Sequence, residues 1–259
     1  MDRREQFINK AKGQVREQLT RKDILLIQAV RSLDDIDKAK ALLLERLTEW
    51  HKFNFPELEL QNEEILLKFL EHFGSKETIS KEKMVEIIGP EKAEKIDSLI
   101  KGSMGAEFDE DDAKIISMFA KRLVELFHLR KEITAYIEKE AERTLRNLSY
   151  LTDPVLAARL VSTAGSLQNL AKMPASTIQV IGAEKALFKH LRTGTRPPKH
   201  GVIFQCPMVG TAPMKQRGRI ARALSTKLTI AAKADYYSHH FIAEKLKEDL
   251  EKRLKEIRG

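Results

Sequence analysis

LIQAVRSLDDIDKAKALLLERLTEW, residues 26–50, is the stretch on which the fold turns. Its apolar residues recur at intervals of three and four: Leu26, Ala29, Leu33, Ile36, then Leu43, Leu47 and Trp50, with Lys40 breaking the run. A half-buried strand would alternate every second residue. This spacing instead lays one stripe along a helix, and roughly four heptads of it make a coiled-coil seam. A second seam follows at Ile116, Phe119, Leu123, Leu126, Arg130, Ile133 and Ile137, then Ala141, Leu145 and Leu148. Asp109, Glu110, Asp111 and Asp112 stand at its start, where carboxylates satisfy free amides and suit the helix dipole. Each helix would run roughly 45–60 Å at 1.5 Å per residue. Two such helices in one chain bury their seams by folding back antiparallel.

The insert between them, residues 51–108, reads as a helical tip. Short helices are expected near 60–73, 80–88 and 90–101, separated by Phe55-Pro56, Gly74-Ser75 and Gly89-Pro90. Its apolar residues either pack on one another or meet a second copy. The opening residues 1–14 are highly charged and read as an exposed helical end, or as a cut in a longer chain. After Tyr150 the pattern shifts to a run of short helices. Asp153 before Pro154 is an N-cap followed by proline at the first helical position. Residues 193–219 are rich in glycine and proline without period and read as a long loop, the kind that carries function. A helix resumes at Ile220, and after a break the charged end continues it. No strand pattern of any length occurs, so the expected class is all-α. Residues 1–150 would form a long antiparallel coiled-coil hairpin with its tip, and 151–259 a compact helical domain.

Charge separates the same two parts. Residues 1–150 hold 27 Lys and Arg against 30 Asp and Glu, whereas residues 151–259 hold 19 against 8. Between Pro154 and Asp235 there are 13 basic residues, and Glu184 and Asp235 are the only acids. Such one-sided charge draws phosphate backbones through counterion release; the plainer alternative is an idle basic surface. Cys206 is the single cysteine, so neither a disulfide framework nor a thiolate cluster is expected. No signal-peptide pattern and no apolar run near eighteen residues occurs, so a soluble, cytoplasmic protein without membrane contact is expected.

Two motifs carry the binding chemistry. In Gly182-Ala183-Glu184-Lys185-Ala186-Leu187-Phe188, small residues at a helix start admit another backbone, and the free N–H groups favour a phosphate. Lys185 adds a charge there, and Lys189 and Arg192 follow on about the same face. Phe188 is assigned to the core. The second motif is a basic loop and helix: Arg196, Lys199 and His200, then Lys215, Arg217, Arg219 and Arg222, with Lys227 and Lys233 beyond. If helical, Lys215, Arg219 and Arg222 share a face, and the arginine guanidinium groups can grip phosphate oxygens in pairs. The uncharged Val202, Ile203, Phe204 and Pro207 could cover unstacked bases, as RNA readers do. Enzyme readings fare poorly. The histidines lack carboxylates at zinc spacing, and no phosphate-binding loop, nucleophile elbow or thiolate–base pair is present. Residues 210–215 faintly resemble the mobile loop of fumarase-type lyases, without its serine. Neither metal nor cofactor is expected.

SLQNLAKMPASTIQVIGAEKALFKHL, followed by PKHGVIFQCPMV and RGRIARALSTKLTIAAKAD, resembles the Nop-domain proteins, closest to the archaeal scaffolds of box C/D small ribonucleoproteins. The resemblance spans nearly the whole chain. It implies a scaffold, not an enzyme, of a particle that guides RNA 2′-O-methylation. It implies a coiled coil that self-associates into a homodimer. The C-terminal Nop domain would bind a composite surface, made by a kink-turn of the guide RNA and the small ribosomal-like protein already bound to it. By position, Gly182, Ala183, Glu184, Lys185, Lys189 and Arg192 would meet the RNA backbone and the small partner. Lys199 and His200 would lie by the RNA loop, Arg217, Arg219 and Arg222 along a stem, and Lys215 would be a further contact. Gln168, Asn169 and Lys172 add contacts. Family members carry a further N-terminal domain that binds fibrillarin; here the chain opens almost directly into the first long helix, so fibrillarin is expected only through that missing domain. The remaining alternative is a coiled-coil scaffold that holds nucleic acid without specificity.

Overall fold

The computed structural model describes residues 22–259 throughout and, before them, only positions 4, 6, 8, 9 and 12. The expected helical end at 1–14 therefore falls largely outside the described residues. Among the described residues there is no strand, and the chain divides into two compact units. One is Leu33–Glu132; the other combines Met1–Ser32 with Ile133–Gly259.

The first unit holds most of α1 (Lys22–Lys52), then α2 (Glu63–Phe73), a 3-10 turn at Lys76–Thr78, α3 (Lys81–Ile88), α4 (Pro90–Lys101) and the first part of α5 (Glu110–Thr144). Asn62 caps α2 by accepting from Ile65 N–H at 3.1 Å. Asp109 caps α5 by accepting from Asp112 N–H at 2.8 Å, so part of the acidic cluster is a helix cap. Leu44, Leu47, Phe55, Leu67, Phe69, Phe73, Met84, Ile96, Ile116 and Leu123 form one core. The tip helices thus pack on one another and on the long pair.

The seam of α1 differs from the expected one. The residues turned inward are Leu26, Val30, Leu33, Asp37, Lys40, Leu44, Leu47 and His51; Leu43 and Trp50 are exposed. Positions 26, 33, 40 and 47 are common to both readings. Between them a 3.5-residue period is met equally by a step of three or of four. The apolar step of three was the natural choice, but polar pairing selects the other. Arg130, the break in the second seam, donates to both oxygens of Asp37 at 2.5 and 3.2 Å. Lys40, the break in the first, pairs with Glu63 at 3.1 Å and lies 4.3 Å from the Phe127 ring centre. With side chains 36% and 33% exposed, the Arg130–Asp37 pair sets register more than it stabilises.

The second unit adds α6 (Arg146–Leu151), α7 (Pro154–Ala164), α8 (Leu167–Lys172), α9 (Ala175–Val180), α10 (Glu184–Thr193), a 3-10 turn at Val202–Gln205, α11 (Pro207–Gly210), α12 (Met214–Lys233), a π turn at Ala234–Ser238 and α13 (Ala243–Arg258). Asp153 accepts from Leu156 N–H at 2.8 Å, with Pro154 opening α7 as expected. The long loop does not occur as read. It shortens to residues 194–201, because Ile203, Cys206 and Val209 are buried and draw the next residues into helical turns. α12 begins at Met214, so the MKQRGR residues are helical. It lies at the centre of the unit, burying Ile220, Ala221, Leu224, Leu228 and Ala231 against α6, α8, α9 and α13. Asp235, just beyond it, is buried and accepts from Asn147 N–H, Leu148 N–H and the Asn147 amide at 2.9, 3.0 and 2.7 Å. The π turn that follows α12 thereby caps the start of α6.

Candidate nucleic-acid interface

Gly182 adopts φ +83°, and a Cβ there would lie 2.4 Å from Val202 Cγ2. A side chain is excluded both by conformation and by space. The Gly182 N–H donates to Glu184 at 2.7 Å, so the carboxylate of Glu184, though exposed, folds back beside the entrance. No side chain caps the following amides of α10, which leaves them free for an anion. The loop is fastened beside this entrance. Gly201 N–H donates to Gln179 O at 2.9 Å, Val202 N–H to Ile181 O at 2.8 Å, and Gln179 Nε2 to Lys199 O at 2.8 Å. At Gly201 an added Cβ would stand 1.9 Å from Ile181 O, so only glycine allows the approach. Lys199 and His200 are thereby brought to the Gly182 entrance.

α10 itself buries none of its residues. At 3.6 residues per turn, Lys185, Lys189 and Arg192 lie within about 60° of one another. Leu187, Phe188 and Leu191 occupy the neighbouring face within about 100°. Phe188 is 61% and Leu191 70% exposed, which corrects the assignment of Phe188 to the core. Among the described residues no element covers Phe188 and Leu191, which meet solvent beside the cations of α10. Local periodicity cannot reveal such a gap, since a buried and an uncovered amphipathic helix read alike.

The basic helix splits into two groups. Arg217 points toward the loop: its Nε donates to Ala212 O at 2.8 Å, and its guanidinium lies 5.3 Å from the Phe204 ring centre. His200 stacks on the same ring, with centroids 4.6 Å apart and planes at 16°. Burial, and then Arg217 and Lys199, hold the His200 imidazole below its usual range, so it is neutral at pH 7. Phe204 is 39% exposed, whereas Ile203 is fully buried, so of the expected apolar loop face Ile203 belongs to the core. Lys215, Arg219 and Arg222 share the other side of α12, about 140–160° around from Arg217. Arg219 is occupied there, donating to Ile257 O at 3.3 Å in the last turn of α13. Lys227 pairs with Asp249 at 3.0 Å. Lys215 and Arg222 are exposed, and among the described residues neither has an ion-pair partner.

Gln168, Asn169 and Lys172 stand apart, on α8. Asn169 Nδ2 donates to Ala164 O at 3.1 Å, closing the end of α7, and its N–H donates to Ser166 Oγ at 3.0 Å. Its amide is thus structurally employed, while Lys172 is exposed. The structure therefore joins Gly182, Ala183, Glu184, Lys185, Lys189 and Arg192 on one element, with Lys199, His200 and Arg217 fastened around Phe204 beside its entrance.

Residues 32–256 match the Nop family, described as snoRNA binding domain, fibrillarin. An uncharacterised NOP5 family protein of Methanocaldococcus jannaschii is 44% identical over 239 residues, covering 92% of this chain and 58% of that protein. Nucleolar protein 58 of Schizosaccharomyces pombe is 36% identical over 218 residues, 83% of this chain and 43% of that one. Nucleolar protein 56 of Homo sapiens is 34% identical over 253 residues, 94% and 43% respectively. The chain thus spans 43–58% of the length of these relatives. A crystal structure of a fibrillarin/Nop5p complex is similar in fold, with TM-score 0.59 and 27% identity, covering 98% of this chain and 77% of that one.

Proposed function

This chain belongs to the Nop family, and from that premise we propose that it is a non-catalytic scaffold of a box C/D ribonucleoprotein guiding RNA 2′-O-methylation. Its second unit would bind a kink-turn of the guide RNA together with the small protein already seated on that kink-turn. The observation that carries this reading is the double face of α10. Lys185, Lys189 and Arg192 offer charge to a phosphate backbone, and the uncovered Phe188 and Leu191 beside them suit a protein surface. Phosphate contacts alone would give affinity without choice. An adjoining apolar patch that is covered only by a bound protein makes the two contacts reinforce each other.

The first unit would self-associate. Leu42 and Trp50 are 59% and 39% exposed and lie within about 80° on one outer side of α1, and Phe53, in the turn just after it, is 71% exposed. Fibrillarin, with which the solved relative was crystallised, is proposed as a member of the same particle rather than a direct partner of the two faces described. Among the described residues no helix is long and apolar enough to cross a membrane.

Gel shifts with kink-turn RNA alone, the small protein alone and both together test the proposal. The native chain should shift the binary complex far more readily than either component. Replacing Phe188→Glu and Leu191→Glu should abolish that preference while residual RNA binding persists. Full displacement by an unrelated RNA would instead mark a scaffold without specificity, and would defeat the proposal.

A further inference from the structure

Outside α10 and α12, Glu142, Arg146, Ser149, Tyr150, Pro154 and Phe241 line a cleft of about 420 Å³. The end of α5, α6, the start of α7 and the segment leading into α13 build it, so it shares no residue with the faces of α10 and α12 described above. Tyr150 and Phe241 are 42% and 39% exposed and meet edge to face, with centroids 5.4 Å apart at 90°. Each ring carries a cation: the Arg146 guanidinium lies 5.3 Å from the Phe241 centre, and Lys247 Nζ 4.8 Å from that of Tyr150. Among the described residues no carboxylate pairs with either cation. Ser149 Oγ, on the same wall, is buried without a hydrogen-bond partner.

We propose that this cleft takes one unpaired nucleotide of RNA, its base stacked on the Arg146–Phe241 layer with the perpendicular Tyr150 ring against its edge, its phosphate held by Lys247. Planar guanidinium groups and aromatic rings are the platforms on which single-stranded RNA bases stack. Two cations without partners above aromatic faces fit a flat anionic ligand better than an apolar peptide. The volume suits a single nucleotide, not a helix. Glu142, the carboxylate of the set, would repel a phosphate but accepts from an exocyclic amine, as carboxylates do from amino-bearing bases. The ligand is therefore an amino-bearing base, adenine before uracil. This inference rests on the chain being an RNA-associated protein, but not on recognition of the kink-turn.

The test uses the whole chain and a fluorescent octamer of adenosine, with a uridine octamer as comparison. The adenosine octamer should bind more tightly. Tyr150→Leu and Arg146→Gln should each weaken it about tenfold, the loss of one stacking contact, and Glu142→Gln should erase the preference over uridine. The same losses should persist when Lys185, Lys189 and Arg192 are already alanine. Unchanged octamer affinity in variants that keep their melting temperature would overturn the proposal. Should a variant not fold, photo-crosslinking the native chain to an 8-azidoadenosine octamer decides. Adducts on Tyr150 or Phe241 uphold the site, and adducts confined to α10 and α12 dismiss it. Assembly with the kink-turn and its small protein is measured on the same variants. Intact assembly with lost octamer binding upholds the cleft, whereas failed assembly of the native chain strikes only the composite reading.

Discussion

Replacing Asp235→Ala removes the acceptor for three donors at once: the N–H groups of Asn147 and Leu148 and the Asn147 side-chain amide, at 2.9, 3.0 and 2.7 Å. The carboxylate is 4% exposed, so water cannot readily take its place. The Asn147 amide keeps a bond to His240 O at 2.9 Å, but both backbone donors lose their partner. At about 1–3 kcal/mol for each buried donor left unpaired, and charge-assisted bonds at the upper end, the loss is about 3–5 kcal/mol. In a chain of this size that lowers the melting temperature by roughly 10 °C. Asp235→Asn should do little better, because its NH₂ group then confronts one of the same N–H donors. Melting by circular dichroism measures the size, and hydrogen exchange at Asn147 and Leu148 locates it. A loss below about 1 kcal/mol, or full stability of the asparagine variant, would refute the reasoning.

His51 is 3% exposed, and burial lowers its pKa to about 4. The unfolded chain takes up that proton near pH 6.5, the folded chain only near pH 4, so stability is complete above pH 6.5 and falls between the two, by about 3 kcal/mol in all. His51→Leu should flatten this acid limb in urea titrations; an unaltered limb would assign it to other groups. Replacing Lys185, Lys189 and Arg192 together with alanine should reduce the slope of log affinity for RNA against log salt by about 2–3, and an equal slope would remove α10 from the backbone track. Arg219 and Arg222, three residues apart, should part company. Arg219→Ala loses its bond to Ile257 O and lowers stability by about 1 kcal/mol, whereas Arg222→Ala should leave the melting temperature alone and weaken RNA binding. Equal behaviour of the two would show that the Arg219 bond does not hold in solution.

Where the account could be read in advance depends on the range of the interaction. Asp153-Pro154, Gly74, Gly89 and the acidic start of α5 are local signals, and helix ends formed where they stand. The class, the two long helices and the tip helices follow from period alone. The side of α1 that faces inward does not, because it hangs on Arg130 meeting Asp37, 93 residues away in the chain. The loop at 193–219 was misjudged for a similar reason. Ile203 and Val209 are called into the core by α12 and its neighbours, which no local pattern announces. At the site, the common face of Lys185, Lys189 and Arg192 was legible from spacing within one helix. The opposition of Arg217 to Arg219 and Arg222 follows once α12 is known to begin at Met214, before the glycine that suggested a loop. The apolar character of Phe188 points inward, and only the arrangement of the other described helices leaves it 61% exposed.

The central claim is that the basic and apolar faces of α10 act together, and titration by fluorescence anisotropy measures this directly. The chain is titrated against labelled kink-turn RNA, free and saturated with its small binding protein. Affinity for the saturated RNA should be at least about a hundredfold higher, a coupling of roughly 3 kcal/mol. That gain should vanish with Phe188→Glu and Leu191→Glu. Equal affinity for the free and the saturated RNA would contradict it.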